Sequence, residues 1–293
     1  MADPQAQPIL VTGATGRQGG AALRHLRGRG FRIRAATRNP DKPEARSLLE
    51  PGIELVRLDL DDPALLAQAV EGVYGVFSVQ DFRQGAEAEI RQGIALIDAA
   101  RKAQVQHFVY SSVGSADQNT GIPHFESKAR IEEHLRQSGL PFTILRPVFF
   151  MENWLAMRSM IDQGVLALPL QPETRLQMIA VDDIGAFVAM AFEHPERWQG
   201  RALDIAGDEL TMNEICRALS RASGHEVRYQ QIPWQQFQER AGDDMTTMWR
   251  WFEQTGYQVD IASIRREYPN LSGFERWLHK HWPRREAQVQ AAG

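Results

Sequence analysis

Residues 8–19 read PILVTGATGRQG, a stretch in which glycine recurs at every third position from Gly13 onward. The apolar residues 9–11 predict a short buried strand, and residues 18–26 predict a helix. A glycine-rich turn between a strand and a helix lets the backbone approach a phosphate closely, and the helix start supplies N–H groups and the positive end of a dipole. The stretch therefore predicts a dinucleotide-binding loop, whereas the glycines by themselves would also fit a tight structural turn.

The alternation of strand and helix continues along the first half of the chain. Short apolar runs rich in Val, Ile and Phe are typical of strands buried on both faces, and they lie at 8–11, 31–37, 53–58, 75–79, 107–111 and 142–145. Between them, apolar residues spaced three and four apart predict amphipathic helices. The alternation predicts an α/β fold of the Rossmann type, a doubly wound parallel sheet with helices on both faces.

Beyond Arg146 the alternation weakens, and we predict a smaller, mainly helical second lobe that recognises a substrate or a protein partner. Five of the seven tryptophans follow residue 207. They fit either an apolar substrate pocket or, as we favour, the packed core of this lobe. The predicted parts are a NAD(P)-binding domain at 8–148 to which 176–206 returns, the second lobe at 149–175 and 207–285, and frayed ends at 1–7 and 286–293.

Composition limits the classes of partner. With 33 basic and 37 acidic side chains the chain carries a formal charge of −4, which disfavours direct binding to nucleic acid. A single cysteine, Cys216, excludes an internal disulfide, and no metal-binding motif is present. No run of 18 apolar residues occurs, so we expect no membrane span and a cytoplasmic location. These observations specify no oligomeric state.

The end of the second predicted strand distinguishes between the two nicotinamide cofactors. A site for NAD(H) carries Asp or Glu here, about 20 residues after the glycine loop, to bind the ribose hydroxyls. Residues 35–40 read AATRNP, with no acid before Asp41. Arg38 offers a planar, permanently charged group for a 2′-phosphate, so we predict NADP(H) in preference to NAD(H). The alternative is that Arg38 is one more solvated charge in an arginine-rich stretch.

Several blocks of residues carry a more specific pattern than the glycine loop. They are VTGATGRQG at 11–19, TRNP at 37–40, HFESK at 124–128 running into IEEH at 131–134, ILRP at 144–147 with FMEN at 150–153, and VDDIG at 181–185. In these blocks the chain resembles the NmrA-like family, an atypical branch of the short-chain dehydrogenase/reductase superfamily. The resemblance extends from residue 8 to about residue 206.

The resemblance implies cofactor contacts along the first three predicted strands. In the family, the residues that match Gly13, Ala14, Thr15, Gly16, Arg17 and Gln18 wrap the pyrophosphate, and Gly19 ends the same loop. The residue that matches Arg38 holds the 2′-phosphate, and those that match Asp59 and Leu60 border the adenine. All these positions follow predicted strands, where an open α/β sheet has its crevice.

The resemblance also implies contacts at the nicotinamide end. Relatives line this end with the residues that match Gln80, Asp81 and Phe82, and a lysine that matches Lys128 lies on the ribose. A segment that matches Phe150, Met151, Glu152 and Asn153 closes over the nicotinamide. Ser111 and Ser112 occupy the region of the superfamily's polar serine, and they either bind the ligand or simply end the strand.

The chain lacks the catalytic tyrosine of the superfamily, which stands four residues before the lysine, one helical turn away. None of the five tyrosines has a lysine four positions later; His124 stands four residues before Lys128. This departure puts standard alcohol dehydrogenase chemistry in question. His124 is either a general acid, since imidazolium titrates near neutral pH, or a histidine without a catalytic role, which is the more common case. Lys128 is the stronger candidate.

Two functions of different kinds fit these residues. The first is an NADPH-dependent reductase of a small conjugated or aromatic electrophile such as a quinone, an enone or a dye, whose reduced product needs little help from a protonating tyrosine. The second is a catalytically silent NADP(H) sensor that regulates a protein partner. The NmrA-like family includes both kinds of protein.

Overall fold

The computed structural model describes residues 7–282, which form strands and helices in regular alternation through the first half. The strands are β1 (Ile9–Val11), β2 (Ile33–Thr37), β3 (Ile53–Arg57), β4 (Gly75–Ser78), β5 (His107–Ser111), β6 (Phe142–Pro147), β7 (Phe149–Phe150), β8 (Val165–Leu168), β9 (Arg175–Ile179), β10 (Ala202–Ile205), β11 (Asp208–Thr211) and β12 (Arg228–Gln231). The predicted frayed ends, 1–7 and 286–293, lie outside the described residues except for Gln7.

The helices follow the strands in chain order. They are α1 (Arg17–Gly28), α2 (Pro43–Arg46), α3 (Pro63–Val70), α4 (Ala86–Lys102), α5 (Pro123–Gln137), α6 (Asn153–Ala156), α7 (Arg158–Ile161), α8 (Val181–Glu193), α9 (Pro195–Trp198), α10 (Met212–Ser223), α11 (Trp234–Gln254), α12 (Ile261–Glu267) and α13 (Phe274–His281), with a 3₁₀ turn at Phe82–Gln84. None of the described helices is long and apolar enough to cross a membrane.

Seven strands form the main sheet in the order β10-β6-β5-β4-β1-β2-β3. The five pairs from β3 to β6 are parallel, and β10 joins the sheet at the β6 edge. From β1 the chain first adds β2 and β3 on one side, and it then returns to add β4, β5 and β6 on the other side. All six strands predicted from the apolar runs are present, and the Rossmann-type fold is confirmed.

The residues divide into two units, with a boundary that differs from the predicted one. The first unit takes residues 7–119, 123–147 and 181–204, and the smaller second unit takes 120–122, 148–180 and 205–282. We predicted that the chain returns to the first unit at residue 176. Residues 176–179 are a strand, as expected, but β9 pairs with β7 and β11 in a separate sheet, so the return begins at Val181.

Helices cover both faces of the main sheet. On one face Leu10 and Phe108 pack in a core with Leu96 of α4 and Ile131 of α5. The helices α1 and α8 pack against each other at Gly185, where a Cβ atom would lie 2.5 Å from the backbone carbon of Ala21. Only glycine permits that approach, which explains why glycine stands in the buried part of α8.

The second unit contains its own small sheets as well as helices. Its strands form a three-stranded sheet, β11-β9-β7, and a two-stranded sheet, β12-β8, beside the helices from α10 to α13. An aromatic cluster centres on Phe149, with ring centroids 5.4 Å from Trp154 and 5.9 Å from Trp249. Both tryptophans are buried. Of the five tryptophans after residue 207, Trp249, Trp251, Trp277 and Trp282 are buried and Trp234 is half-buried, which supports core packing rather than a substrate pocket as their main role.

A buried ionic cluster surrounds Arg146 at the end of β6. The guanidinium binds both carboxylate oxygens of Glu132, with Nε–Oε1 2.9 Å and Nη2–Oε2 2.6 Å. Its Nη1 lies 2.5 Å from Asp117 and 3.4 Å from Asp204. Burial raises the pKa of Asp204, although its hydrogen bond from the backbone of Ser115 and the charge of Arg146 oppose the shift. The arginine thus lies within ion-pair distance of three carboxylates.

His107 is a buried titratable group at the amino end of β5. Its side chain is completely inaccessible, and Nε2 lies 2.8 Å from Thr143 Oγ1. Burial disfavours the charged imidazolium and lowers the pKa of His107 from 6.5 to about 4. The folded protein therefore holds this residue neutral at a pH where an unfolded chain would protonate it.

Acid should destabilise the protein through His107. Because the pKa in the folded state is lower than in the unfolded state, stability is lost as the pH falls from 6.5 towards 4, at about 1.4 kcal/mol per pH unit. At pH 5 the expected loss is about 2 kcal/mol. Urea unfolding at pH 7.5 and 5.0 should show a smaller difference in His107→Gln than in the parent. Substitution of the exposed His194 is the control, and equal pH dependence in both variants would contradict the assignment.

Replacement of Arg146 should destabilise the first unit strongly. Arg146→Met leaves the buried carboxylate of Glu132 without its main partner, and removal of one member of a buried pair costs about 3–5 kcal/mol. The matched control is Arg136→Met, which removes a more exposed arginine from the same Glu132, with an expected cost below about 1 kcal/mol. Chemical denaturation measures both, and similar losses in the two variants would refute the burial argument.

Candidate functional site

The glycine loop connects the carboxyl end of β1 to the start of α1. Gly13 has a φ of 58°, which favours glycine, and its carbonyl accepts a hydrogen bond from the N–H of Gly16 at 2.8 Å. A Cβ atom at Gly19 would lie 2.1 Å from the same carbonyl oxygen. The first turn of α1 can therefore approach the loop only because residue 19 has no side chain.

The amino end of α1 is suited to an anion. The N-cap residue Gly16 provides no side-chain cap, and the first turn contains no acidic residue. The N–H groups and the positive dipole end of the helix are therefore not neutralised by a carboxylate of the helix itself. A pyrophosphate is the kind of ligand that such a helix start binds.

The arginines around the loop separate into two groups. Several of them bind carboxylates within the first unit: Arg24 with Asp182, Arg27 with Glu50, Arg29 with Glu193 and Arg34 with Glu54. Arg38, which directly follows β2, is exposed and makes no hydrogen bond or ion pair within residues 7–282. Its charge is one of several causes that lower the pKa of Asp81. Arg38 is thus available to an external anion.

The loop after β4 carries two of the predicted nicotinamide-side residues, Asp81 and Phe82. Both oxygens of Asp81 accept hydrogen bonds from Arg83 Nε, at 2.8 and 2.9 Å, and these bonds are the main cause of its lowered pKa. The phenyl ring of Phe82 is 41% exposed and stacks on His124, with ring centroids 5.0 Å apart. The Asp81 carboxylate therefore shapes the loop, whereas Phe82 presents an aromatic surface.

Three buried polar atoms lie where β4 and β5 end. They are Gln80 Oε1, Ser112 Oγ and Tyr110 OH, and none has a hydrogen-bond partner in the part of the chain that the structure describes. Burial raises the pKa of Tyr110, so its hydroxyl stays protonated. Because unsatisfied buried polar groups are uncommon in folded proteins, those at the strand ends point to a ligand that supplies the missing partners.

Lys128 on α5 is held by a carboxylate that the sequence did not single out. Its Nζ lies 2.8 Å from Oε1 of Glu89 on α4, and Ser127 Oγ donates a hydrogen bond to the other oxygen of Glu89. Glu89 precedes Gly93 and Leu96 by four and seven residues, so helical periodicity places it on the buried face. The acidic residue on the mainly apolar, buried face of α4 is the feature of the sequence that could have identified Glu89.

The remaining predicted residues of the first unit have other contacts. Ser111 Oγ donates a hydrogen bond to Gln18 Oε1 at 2.5 Å and so ties β5 to the glycine loop. Asp59 accepts a hydrogen bond from the backbone of Asp61 and shapes the turn after β3. Leu60 packs at the edge of the main core. Ser112, not Ser111, is the serine with an unpartnered hydroxyl.

The predicted segment from Phe150 to Asn153 belongs to the second unit. Phe150 ends β7, and the N–H of the fully buried Met151 donates to Ile179 at 2.9 Å. Glu152 accepts a hydrogen bond from Trp277 Nε1 at 2.9 Å, and Asn153 begins α6. The segment is thus anchored in the core of its own unit.

The first unit has the features that a NAD(P) cofactor requires. The glycine loop, Arg38, Asp59, Gln80 and Ser111 follow β1, β2, β3, β4 and β5 or end them, and parallel strands end at one edge of the sheet. The close approach at Gly19, the uncapped helix and the unpartnered Gln80 Oε1 fit such a ligand. No group of three or more potential metal ligands occurs within residues 7–282.

Comparison with known proteins agrees with this architecture. The NAD(P)H azoreductase of Xenophilus azovorans is 31% identical over 230 residues, which cover 78% of each chain. The solved structure of triphenylmethane reductase from Citrobacter sp., complexed with NADP(H), has a TM-score of 0.82 at 22% identity and covers 94% of this chain and 99% of its own. At 22% identity, the match to triphenylmethane reductase shows similarity of fold alone.

The negative transcriptional regulator NmrA has the same fold. Its complex with NADP has a TM-score of 0.79 at 23% identity, covering 99% of this chain and 98% of that one. A trigonal form holds NAD, with a TM-score of 0.78 and 22% identity over 98% and 97%. The model of the NmrA-like family matches residues 5–278 of the chain. The chain belongs to the NmrA-like family.

Proposed function

We propose that the protein binds NADP(H) in preference to NAD(H) and acts as an NADPH-dependent reductase of a small conjugated or aromatic electrophile, of the quinone, enone or dye class. The observation that carries the cofactor preference is the unpaired guanidinium of Arg38 beside four arginines that have carboxylate partners. A free guanidinium at the end of β2 suits a 2′-phosphate. The NADP(H) complex of triphenylmethane reductase supports this choice, whereas NmrA has been solved with NADP and with NAD and therefore does not distinguish the two.

Each part of the first unit has a proposed task. The loop from Gly13 to Gly19 and the start of α1 bind the pyrophosphate, and Asp59 with Leu60 borders the adenine. Lys128 donates a hydrogen bond to the ribose next to the nicotinamide. Gln80 and Ser112 offer buried oxygens to the ligand. The bound cofactor supplies the hydride.

The proposed substrate class follows from how the site handles protons. Reduction of a simple aldehyde or ketone develops an alkoxide, which requires a well-placed acid. His124 replaces the superfamily tyrosine, and its ring faces Phe82. A conjugated electrophile spreads the charge that it gains, so it depends less on a proton donor. The names of the NAD(P)H azoreductase and of the triphenylmethane reductase, whose structure is also described in connection with triphenylmethane dyes, support this class.

A second function is favoured by one comparison. NmrA, which the chain resembles in fold over 99% of its length, is a negative transcriptional regulator. In this alternative the protein binds NADP(H) without turnover, and the bound cofactor changes the order of the loop that carries Phe82. The regulated partner would then be a protein that contacts this loop.

The preference for NADPH should depend on Arg38. In Arg38→Ala we expect a 10- to 100-fold weaker affinity for NADPH, since a charge-assisted contact contributes about 1.5–3 kcal/mol. Affinity for NADH should change less than about twofold, because NADH lacks the 2′-phosphate. Fluorescence titration measures both. Arg24→Ala, which removes an arginine that binds Asp182, is the control. Equal affinity of the parent protein for the two cofactors would exclude the assignment.

A turnover screen tests the reductase directly. Oxidation of NADPH, followed by absorbance, should be stimulated by quinones, enones and dyes and much less by simple aldehydes. In His124→Gln we expect kcat on these substrates to fall less than about tenfold, whereas loss of a required general acid costs 100-fold or more. A fall of that size would instead make His124 the acid. Tight NADPH binding without turnover across the panel would favour the sensor.

A further inference from the structure

Glu89 is a buried carboxylate in the core between two helices of the first unit. Its side chain is completely inaccessible, and Lys128 is 8% exposed. Burial of a charged pair costs free energy because both ions lose water, and a pair of apolar residues in the same place is often as stable or more stable. Stability of the helix packing therefore does not by itself explain why this pair is present.

The contacts of Glu89 restrict the position of the lysine. One oxygen lies 2.8 Å from Lys128 Nζ, and the other accepts a hydrogen bond from Ser127 Oγ. Ser127 Oγ also lies 3.2 Å from the carbonyl oxygen of His124, one turn earlier on α5. One carboxylate oxygen thus accepts a hydrogen bond from Ser127, and the other forms a salt bridge with the ammonium without a further hydrogen-bond partner among the described residues, so the carboxylate has one orientation and the ammonium has a defined place beside it.

The ammonium of Lys128 lies close to a residue near the carboxyl end of β5. Lys128 Nζ lies 5.9 Å from the ring centroid of Tyr110, within range of a cation–π contact. The hydroxyl of Tyr110 and Oγ of Ser112, two residues further along the chain, lack partners among the described residues. An ammonium has three N–H donors, and its 2.8 Å salt bridge to Glu89 Oε1 takes up at most one of them. The remaining donors are available for a ligand.

The same two helices are connected in other ways. Glu87 of α4 and Arg130 of α5 form an exposed ion pair at 3.1 Å. Deeper in the interface, a Cβ at Gly93 would lie 2.6 Å from the side chain of Ile131, so the helices pack closely there. Because the helices are already joined at these places, the buried pair of Glu89 and Lys128 adds little to their packing. What distinguishes this pair is that it restricts the position of Lys128.

We propose that Glu89 is a positioning residue for the cofactor: through a buried ion pair it holds the ammonium of Lys128 where it can donate a hydrogen bond to the nicotinamide ribose of NADP(H). Glu89 itself does not touch the cofactor. It also balances the charge of Lys128, so the pair is neutral inside the protein. This inference rests on the proposed cofactor contact of Lys128.

The test is a double-mutant cycle on NADPH affinity. The proteins are the parent, Glu89→Gln, Lys128→Met and the double variant, and the dissociation constant comes from fluorescence titration. We expect Glu89→Gln and Lys128→Met each to weaken binding by about fivefold or more, and the double variant to bind no more weakly than Lys128→Met. If both substitutions weaken binding through the same lysine, their losses of affinity are not additive. If each substitution damages the structure independently, the losses add.

The design remains informative where one variant folds poorly. The double variant removes both charges with little change of shape, so it should fold even if a single charge left in the core does not permit folding. Comparison of its affinity with that of Lys128→Met, together with thermal melting of each protein, then decides the question. Glu87→Gln, which breaks the exposed pair on the same helices, should leave NADPH affinity unchanged.

Each outcome separates this inference from the proposed function. If the parent does not bind NADPH, the proposed function fails. If the parent binds and Lys128→Met weakens binding while Glu89→Gln does not, the positioning role is overturned and the cofactor function stands. Additive losses in the double variant, at unchanged melting temperature, would also overturn it. A loss in Glu89→Gln that disappears in the Lys128→Met background supports it.

Discussion

The parallel arrangement of the main sheet is the constraint on which the candidate site depends. In parallel strands all carboxyl ends lie at one edge, so residues far apart in sequence meet there without any dedicated contact between them. The glycine loop after β1, Arg38 after β2 and Gln80 after β4 all reach that edge for this reason. The order of strands reverses at β1, which opens the crevice in which such sheets bind ligands.

Close approach of backbone elements is the second requirement. Where Gly19 faces the carbonyl of Gly13, and where Gly185 faces Ala21, a single added carbon atom would collide with backbone. The first contact sets the start of α1 against the loop, and the second sets α8 against α1. These contacts place an uncapped helix start, and hence a partial positive charge, at the end of β1.

In the first unit, the ion pairs that an arginine forms, rather than the number of arginines, decide which of them can bind a ligand. Most arginines near the loop are neutralised by carboxylates from other elements, such as Glu193 for Arg29, and Arg146 lies among three acids. Arg38 is left without a carboxylate, and Lys128 is held by Glu89 inside the protein. The small net charge of the chain therefore conceals an exposed cation at the end of β2, Arg38, and a buried ion pair between α4 and α5.

The amino-acid sequence by itself determined the fold class, the six strands from β1 to β6, the glycine loop and the family, because these depend on local periodicity and on short motifs. The boundary of the second unit could not be read in this way, since β9 has the pattern of a strand whichever sheet it joins. The partners of charged side chains were equally hidden. Only the tertiary structure decided that Arg38 stays unpaired, that Ser111 binds Gln18 and that Glu89 meets Lys128, because ion pairs and hydrogen bonds between distant residues depend on how the helices pack on the sheet.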